Sequence, residues 1–489
     1  MRTRLFIFLF AVFIFCLLFL FSCRKDNAFN SDSSVKLTLS AESILFDTVF
    51  TTIGSTTKIF YVKNPTADKI LISSVYLAGG TASNFSMNVD GTPGAKVDNV
   101  EILPNDSIFI FVKVTVDPQN SNSPMVIKDS ILFDINGNQQ NVKLTAWGQD
   151  AHYIVADKVF QGTLKYRIVA AEHENNTWIN DKPYLVYGYA VIDSTGQLNI
   201  DAGCRIHFFN GSGMWVYKGG SLKVNGSITD PVTFQGSRLE SAYSDLPGQW
   251  DRIWINEGTL DNVFNYAIIK NGFIGIQAET MAASMGNRLI LNNTIIKNMT
   301  GIGCLSRFYK IIAANSVFAN CGGYAVAITT GGTYDLRHCT IGNYWSIGSR
   351  QTPSLVVSNY FEDLSNGVAY TGDLDSAYFG NCIIYGSNTE EILLDSTTDA
   401  TFNYKFDHCL IRTEANLNTI KFIDCVPNED PLFRNTSTND YRLFAGSGAI
   451  DVGDISIVYG STLGLIDDIL GNNRTVNPPP DMGAYDYRP

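Results

Sequence analysis

Leu198-Asn199-Ile200, Cys204-Arg205-Ile206-His207-Phe208, Trp215-Val216, Ser221-Leu222-Lys223-Val224 and Val232-Thr233-Phe234 follow one another, separated by Gly203, Gly211, Gly219-Gly220, Gly226 and Pro231. Each apolar run is only a few residues long and is bounded by turn formers, so each reads as a short strand. None is long enough to make a sheet alone. Strands this short bury a continuous core by stacking coil upon coil, and the segment therefore reads as a solenoid.

Further along, the repeat can be followed through aligned positions. Ala267-Ile268-Ile269, Thr294-Ile295-Ile296, Ser316-Val317-Phe318, Cys339-Thr340-Ile341, Cys382-Ile383-Ile384 and Cys409-Leu410-Ile411 recur at intervals of 27, 22, 23, 43 and 27 residues. The interval of 43 allows either two coils or one coil with a long loop. The first position is always small or a thiol, as crowding on the axis of a narrow solenoid demands. Asn293, Asn315, His338, Asn381 or His408 stands before most of the triplets. Such a column of amides and imidazoles could hydrogen-bond up the stack as an Asn ladder.

These features resemble the right-handed parallel β-helix proteins of the pectate-lyase-like type, across residues 151–489. The run Gly219 to Gly226 with Pro231-Val232-Thr233-Phe234 is similar to early coils of that group. Asp430-Pro431-Leu432-Phe433, Tyr441-Arg442-Leu443, Gly446 to Gly453, Gly471-Asn472-Asn473-Arg474 and Asp481-Met482-Gly483-Ala484-Tyr485 look like the closing coil of surface-anchored members. The resemblance implies the fold and an extracellular setting, and for most such proteins no defined reaction.

Residues 35–150 have a different texture, with short strands at regular spacing between turn residues, the pattern of a β-sandwich. Ile108, Ile110, Val112, Val114 and Val116 alternate strictly and share one face of a strand, while Asn64-Pro65 and Asn136-Gly137 mark turns. Segments such as Ile59-Phe60-Tyr61-Val62-Lys63-Asn64 and Leu144-Thr145-Ala146-Trp147-Gly148 resemble bacterial Ig-like domains related to those of the ciliary protein hydin. With no acid, base or ligand cluster, this part reads as a spacer. The fold class expected is thus all-β, a sandwich followed by a right-handed parallel β-helix.

The start of the chain carries an address. Arg2 and Arg4 precede an unbroken apolar run from Leu5 to Phe21, and Ser22-Cys23-Arg24-Lys25 follows. Residues 1–22 read as a lipoprotein signal peptide, since Leu20-Phe21-Ser22-Cys23 resembles a lipobox in which Cys23 is acylated. The run is also close to the length of an uncleaved membrane span. Either way the remainder is extracytoplasmic. Residues 23–34 read as a polar tether, and the resemblance to bacterial surface lipoproteins implies outer-membrane anchorage at the cell surface.

Bulk composition limits partners. The formal charge of −12 becomes −14 when Arg2 and Arg4 leave with the leader (−12 − 2), which argues against nucleic acid, whose phosphates need a basic face. Seven Cys follow Cys23. Three fall in the small axial column, so buried free thiols explain them better than disulfides. His338 and His408 belong to the turn column and have no second metal ligand spaced with them.

For the functional residues two chemistries remain open. Glycoside hydrolysis would need an acid and a second carboxylate facing the sugar, while the resemblance to the lyases of this fold implies a Lys or Arg base beside Ca²⁺-binding acids, for which Lys270, Lys297 and Arg307 are available. The polygalacturonases of the resembled fold carry Asn-Thr-Asp, Asp-Asp, Gly-His-Gly and Arg-Ile-Lys, of which only Asp467-Asp468 has a counterpart. Non-catalytic glycan binding or adhesion would use rings beside carboxylates, and the irregular interval offers Tyr344, Trp345, Tyr360, Tyr370, Asp373 and Asp375. No cofactor is required. Ca²⁺ alone finds candidates, in Asp451, Asp467, Asp468 and Asp481, which serve equally as turn caps. The expected partners are an extracellular polysaccharide and, through the N-terminal lipid, a membrane.

Overall fold

A computed structural model describes residues 29–117, 125–280, 286, 288–363, 367–461, 463–476 and 478–489. Residues 1–22, Cys23 and the first part of the tether lie outside the described residues. The chain divides into two compact units, residues 1–149 and 150–489. Among the described residues no helix is long and apolar enough to cross a membrane.

The first unit contains two five-stranded sheets. One joins Thr38–Leu39, Lys58–Lys63, Ser107–Val114, Phe85–Val89 and Thr92–Pro93, all antiparallel. The other joins Ser43–Phe50, Asn138–Gln149, Met125–Ile135, Ile70–Leu77 and Lys96–Ile102, with Ser43–Phe50 parallel to its neighbour. Strict alternation puts Ile108, Ile110, Val112 and Val114 inside and leaves Phe109, Phe111 and Lys113 outside. Phe60 meets Phe133 edge-on across the interior at 6.4 Å, so the sheets share one core. Asn136 and Gly137 turn the hairpin at φ of 47° and 78°, the left-handed pair that a tight two-residue turn requires.

The second unit is a right-handed parallel β-helix. Each regular coil carries three strands, such as Ile253–Ile255, Asn262–Asn265 and Ala267–Lys270, and each strand pairs in parallel with its counterpart one coil on. The last strand of each coil builds a third face of eleven strands, from His152–Val155 to Val426–Pro427. First and second faces form one continuous sheet bent along its length. The strands Ile302–Ala314 and Val326–Arg337 run through that bend, at Phe308 (φ 48°) and at Thr330-Gly331-Gly332 (φ 64°, 75° and 115°). A Cβ on Gly331 would lie 2.3 Å from the Gly372 carbonyl oxygen, so the second bend needs glycine.

The aligned triplets are neighbours in the third face: Ile268, Ile295, Val317, Thr340, Ile383 and Leu410 pair in that order. The direct pairing of Thr340 with Ile383 shows that the 43-residue interval is one coil. Its extra length is the segment 344–354 and an antiparallel hairpin, Tyr360–Asp363 with Val368–Thr371. The residue before each triplet adopts the left-handed conformation, at φ of 51°, 47°, 49°, 50° and 50° for Asn293, Asn315, His338, Asn381 and His408. Asn tolerates that conformation at low cost, which accounts for the column.

A continuous ladder does not run along it. Asn381 Nδ2 donates to His338 Nε2 at 2.9 Å, but Asn315 donates to the carbonyl of Asp467 at 2.8 Å and Asn381 also to that of Asp454 at 2.9 Å. Those acceptors belong to the C-terminal segment, which differs from the expected closing coil. Beyond Val426–Pro427 no strand among the described residues joins either long sheet; the chain returns over the outside of the third face. Tyr441, Ile469, Ala484 and Tyr485 pack on Val317 and Ala319, while Leu443, Ala449 and Met482 pack on Ile383 and Leu410. The physical reason is that the third face is apolar on both sides there, and a strap buries the outer one.

Candidate functional site

The outer surface of the first face carries the densest polar and aromatic network. In strands of pattern Met214-Trp215-Val216 and Ile253-Trp254-Ile255, the flanking residues enter the core and the central Trp points out. Parallel pairing aligns Val191, Trp215, Trp254, Gln277, Leu305, Ala327 and Val356 in one outward column. Two residues on, Glu279, Arg307 and Thr329 align likewise.

Trp215 and Trp254 stack at 4.9 Å and 11°, and Tyr217 meets Trp215 edge-on at 5.2 Å. The indole of Trp215 donates to Asn256 Oδ1 at 2.7 Å and that of Trp254 to Glu279 Oε1 at 2.6 Å. Glu279 Oε2 accepts from Gln277 Nε2 at 2.9 Å and from Arg307 Nη1 at 3.3 Å. Arg252 joins Gln277 to Asp251, pairing with Asp251 at 3.0 Å, and Asp251 accepts the hydroxyl of Tyr189. Burial and the Asp251 charge hold the Tyr189 phenol well above its ordinary range, so it stays a donor.

Two hairpins border this floor. Phe160, from the hairpin of Lys158–Phe160 with Leu164–Ala170, meets Trp215 edge-on at 5.5 Å. Phe361, from the inserted hairpin, lies over the Arg307 guanidinium at 4.3 Å. Beside Tyr189, a cavity of about 480 Å³ is lined by Lys165, Tyr187, Phe209 and Asn210. A larger one in the first unit, of about 650 Å³, lies beside Phe85, Met87 and Phe111 and holds no titratable cluster.

The six ring and carboxylate residues expected to form a binding face are not brought together. Tyr344 and Trp345 follow the third-face strand Thr340–Asn343, and Tyr344 packs on Phe433 and Tyr441 beneath the C-terminal strap. Trp345 lines a small cavity of about 100 Å³ with Asp245, Asn298 and Asn439. Tyr360 and Tyr370 sit on the inserted hairpin, at the other end of the first-face strand Leu355–Ser358. Tyr360 donates its hydroxyl to Asp395 at 2.7 Å, and Tyr370 is exposed. Asp373 caps Thr401, accepting its amide at 2.8 Å and its hydroxyl at 3.0 Å, and Asp375 is exposed on the second face. Sequence proximity gathered residues that the corners of a coil separate.

The candidate Ca²⁺ ligands are likewise spent or apart. Asp468 accepts the amides of Leu470, Asn472 and Asp486, and Asp481 accepts those of Asp451 and Tyr487. Asp451 and Asp467 are exposed. Among the described residues no group of three or more His, Cys, Asp or Glu is placed to hold a metal ion. The seven thiols from Cys204 to Cys425 are free, and six are buried.

Of the basic residues named for a lyase, Lys297 approaches Asp245 at 3.7 Å, and Arg307 has the carboxylate partner that its surroundings in sequence did not reveal. Trp215, Trp254 and Glu279 were not foreseen as site residues. The available signal was the repeated apolar-Trp-apolar triplet, in which neighbours facing inward force the ring outward.

Residues 171–341 match a family model described as the right handed beta helix region, which agrees with the parallel coils. No curated protein matches the chain. Among solved structures, a family 123 glycoside hydrolase from Clostridium perfringens is similar at 9% identity and a TM-score of 0.17, over 27% of this chain. The match spans 26% of that hydrolase, about a quarter of its length, and carries neither fold nor activity across.

Proposed function

We propose that this right-handed parallel β-helix protein is a lipid-anchored protein of the outer cell surface that holds an extracellular polysaccharide on its first face without cleaving it. One observation carries the non-catalytic reading. Glu279 takes three donors, from Trp254, Gln277 and Arg307, and Asp251 is committed to Tyr189 and Arg252. Glycoside cleavage needs one carboxyl that delivers a proton to the leaving oxygen and a second that faces the sugar. Both carboxylates on this floor have most of their accepting capacity filled from within the protein.

What remains available suits recognition. Tyr217 is 38% exposed, the Arg307 side chain 34%, and Trp254 is half-buried between Trp215 and Gln277. The exposed Tyr217 ring and the partly exposed Arg307 guanidinium match the alternating apolar faces and hydroxyls of a sugar chain. The anchor is supported by the apolar run Leu5 to Phe21 with Cys23 after it.

The full-length protein, with and without Ca²⁺, would be tested on acidic and neutral polysaccharides for binding and for new chain ends. Binding without cleavage, weakened about tenfold in Tyr217→Ala and in Arg307→Ala, is expected, on the scale of roughly 1–2 kcal/mol per interface contact. New chain ends that vanish in Glu279→Gln would establish the lyase or hydrolase alternative. No binding at all would sink both.

A further inference from the structure

The exposed apolar side chains of the first unit are unevenly placed. Of the eight large ones exposed among its described residues, Leu45 and Val126 project from the sheet containing Ile70–Leu77. The other six are Phe29, Ile59, Tyr61, Leu103, Phe109 and Phe111, exposed by 36–55%. Tyr61 pairs across strands with Phe109 and Ile59 with Phe111, so these four form one outward block on the opposite sheet.

The block continues to one end of the unit. Lys63 pairs with Ser107, next to the turn that exposes Leu103. At that same end Phe29 bridges to Lys69, and Asn136 holds the carbonyls of Asn30 and Asp32 at 2.9 and 3.0 Å. The chain from Cys23 therefore enters this unit where the apolar block begins, and only the residues between Cys23 and Phe29 separate it from Cys23. Soluble surfaces scatter such residues singly, whereas a contiguous apolar patch marks a contact.

We infer that this end and the outer Ile59-Tyr61-Phe109-Phe111 face rest against the lipid surface that holds the anchor, with the aromatic rings at headgroup depth. The inference rests on the lipid-anchor reading above. Lys36, Lys63 and Lys69 at this end are interspersed with Asp32, Asp68 and Asp106, so the contact is apolar in character and does not depend on anionic lipid. A tether of a few residues keeps the surface at high effective concentration, and four modest side chains suffice under that condition.

The test uses full-length acylated protein in phosphatidylcholine vesicles, with an environment-sensitive dye on Ser107→Cys and, separately, on Lys128→Cys of the other sheet. Burial shields the six thiols from Cys204 to Cys409 from the dye, and the partly exposed Cys425 is replaced by Ser in both variants. Flotation with vesicles reports the anchor. The expected result is flotation, a severalfold rise in emission and quenching by lipid-borne quenchers for the Ser107→Cys dye alone, abolished by adding Phe109→Lys. Flotation with both dyes equally wet overturns the contact and leaves the anchor. Absence of flotation overturns the anchor and the contact with it. A dry Ser107→Cys dye without any lipid overturns the proposal in favour of a second copy of the chain as occupant.

Discussion

Arg350 and Glu391 meet as a doubly hydrogen-bonded ion pair shut off from water, Nη1 to Oε2 at 2.9 Å and Nη2 to Oε1 at 2.6 Å, with side chains 1% and 0% exposed. Ser354 donates to the same carboxylate at 2.6 Å, and Arg350 also donates to the Asn343 carbonyl at 2.9 Å. The pair pins the segment 344–354, which carries Trp345 from the third face to the first. Removing one partner leaves a buried charge alone, so Glu391→Gln should cost about 3–5 kcal/mol. The double change Arg350→Met with Glu391→Leu should recover most of it. Urea denaturation of the three proteins, wild type, single and double variant, checks this, and a double variant no better than the single would show that the charges are needed together.

Asn381 fastens the C-terminal strap. Its amide reaches His338 and the Asp454 carbonyl, its Oδ1 accepts the Asp454 amide at 2.8 Å, and its backbone sits at φ 50°. Asn381→Ala loses all three bonds and places a Cβ residue in a left-handed conformation, at a cost of about 2–3 kcal/mol. Hydrogen exchange should quicken at Asp454 and Gly483 before it does in the third-face strands. Uniform quickening would mean that strap and solenoid unfold as one.

His207 gives stability a defined pH slope. Burial lowers its imidazole to about 4, against an ordinary 6.5, with Nδ1 facing the Gly236 carbonyl at 3.0 Å. The folded protein thus keeps the ring neutral while the unfolded chain protonates below about 6.5. Its contribution is present above that pH and is lost as the pH falls toward 4, by at most about 3 kcal/mol. The stability of wild type relative to His207→Gln should therefore fall between pH 7.5 and 4.5 in denaturant titrations; a rise would contradict the assigned neutral ring.

The thiols should be nearly silent. Burial pushes Cys204 up to about 11 and Cys304 and Cys321 up to about 12, and burial together with neighbouring thiols holds Cys382 and Cys409 well above the ordinary thiol range. Thiolate is the reactive form, so a thiol reagent at pH 8 should label the partly exposed Cys425 slowly and the other six only on unfolding. Rapid labelling of Cys339 or Cys382 in native protein would contradict the packed axis.

The parallel coils and the register of the third face were legible in the sequence. Each coil meets similar demands at the same place: a small residue or thiol on the crowded axis, a left-handed residue before it, in most coils Asn or His, and a largely apolar pair after it. Those demands are local, so Ala267 to Cys409 repeat them visibly. The network of Trp254, Glu279 and Arg307 was not legible, because it forms across coils whose loops differ in length, and only stacking at strand spacing decides which residues meet. The strap over the third face and the Arg350–Glu391 pair were decided in the same way, by burial between segments distant in the chain, where neither partner marks itself in its own neighbourhood.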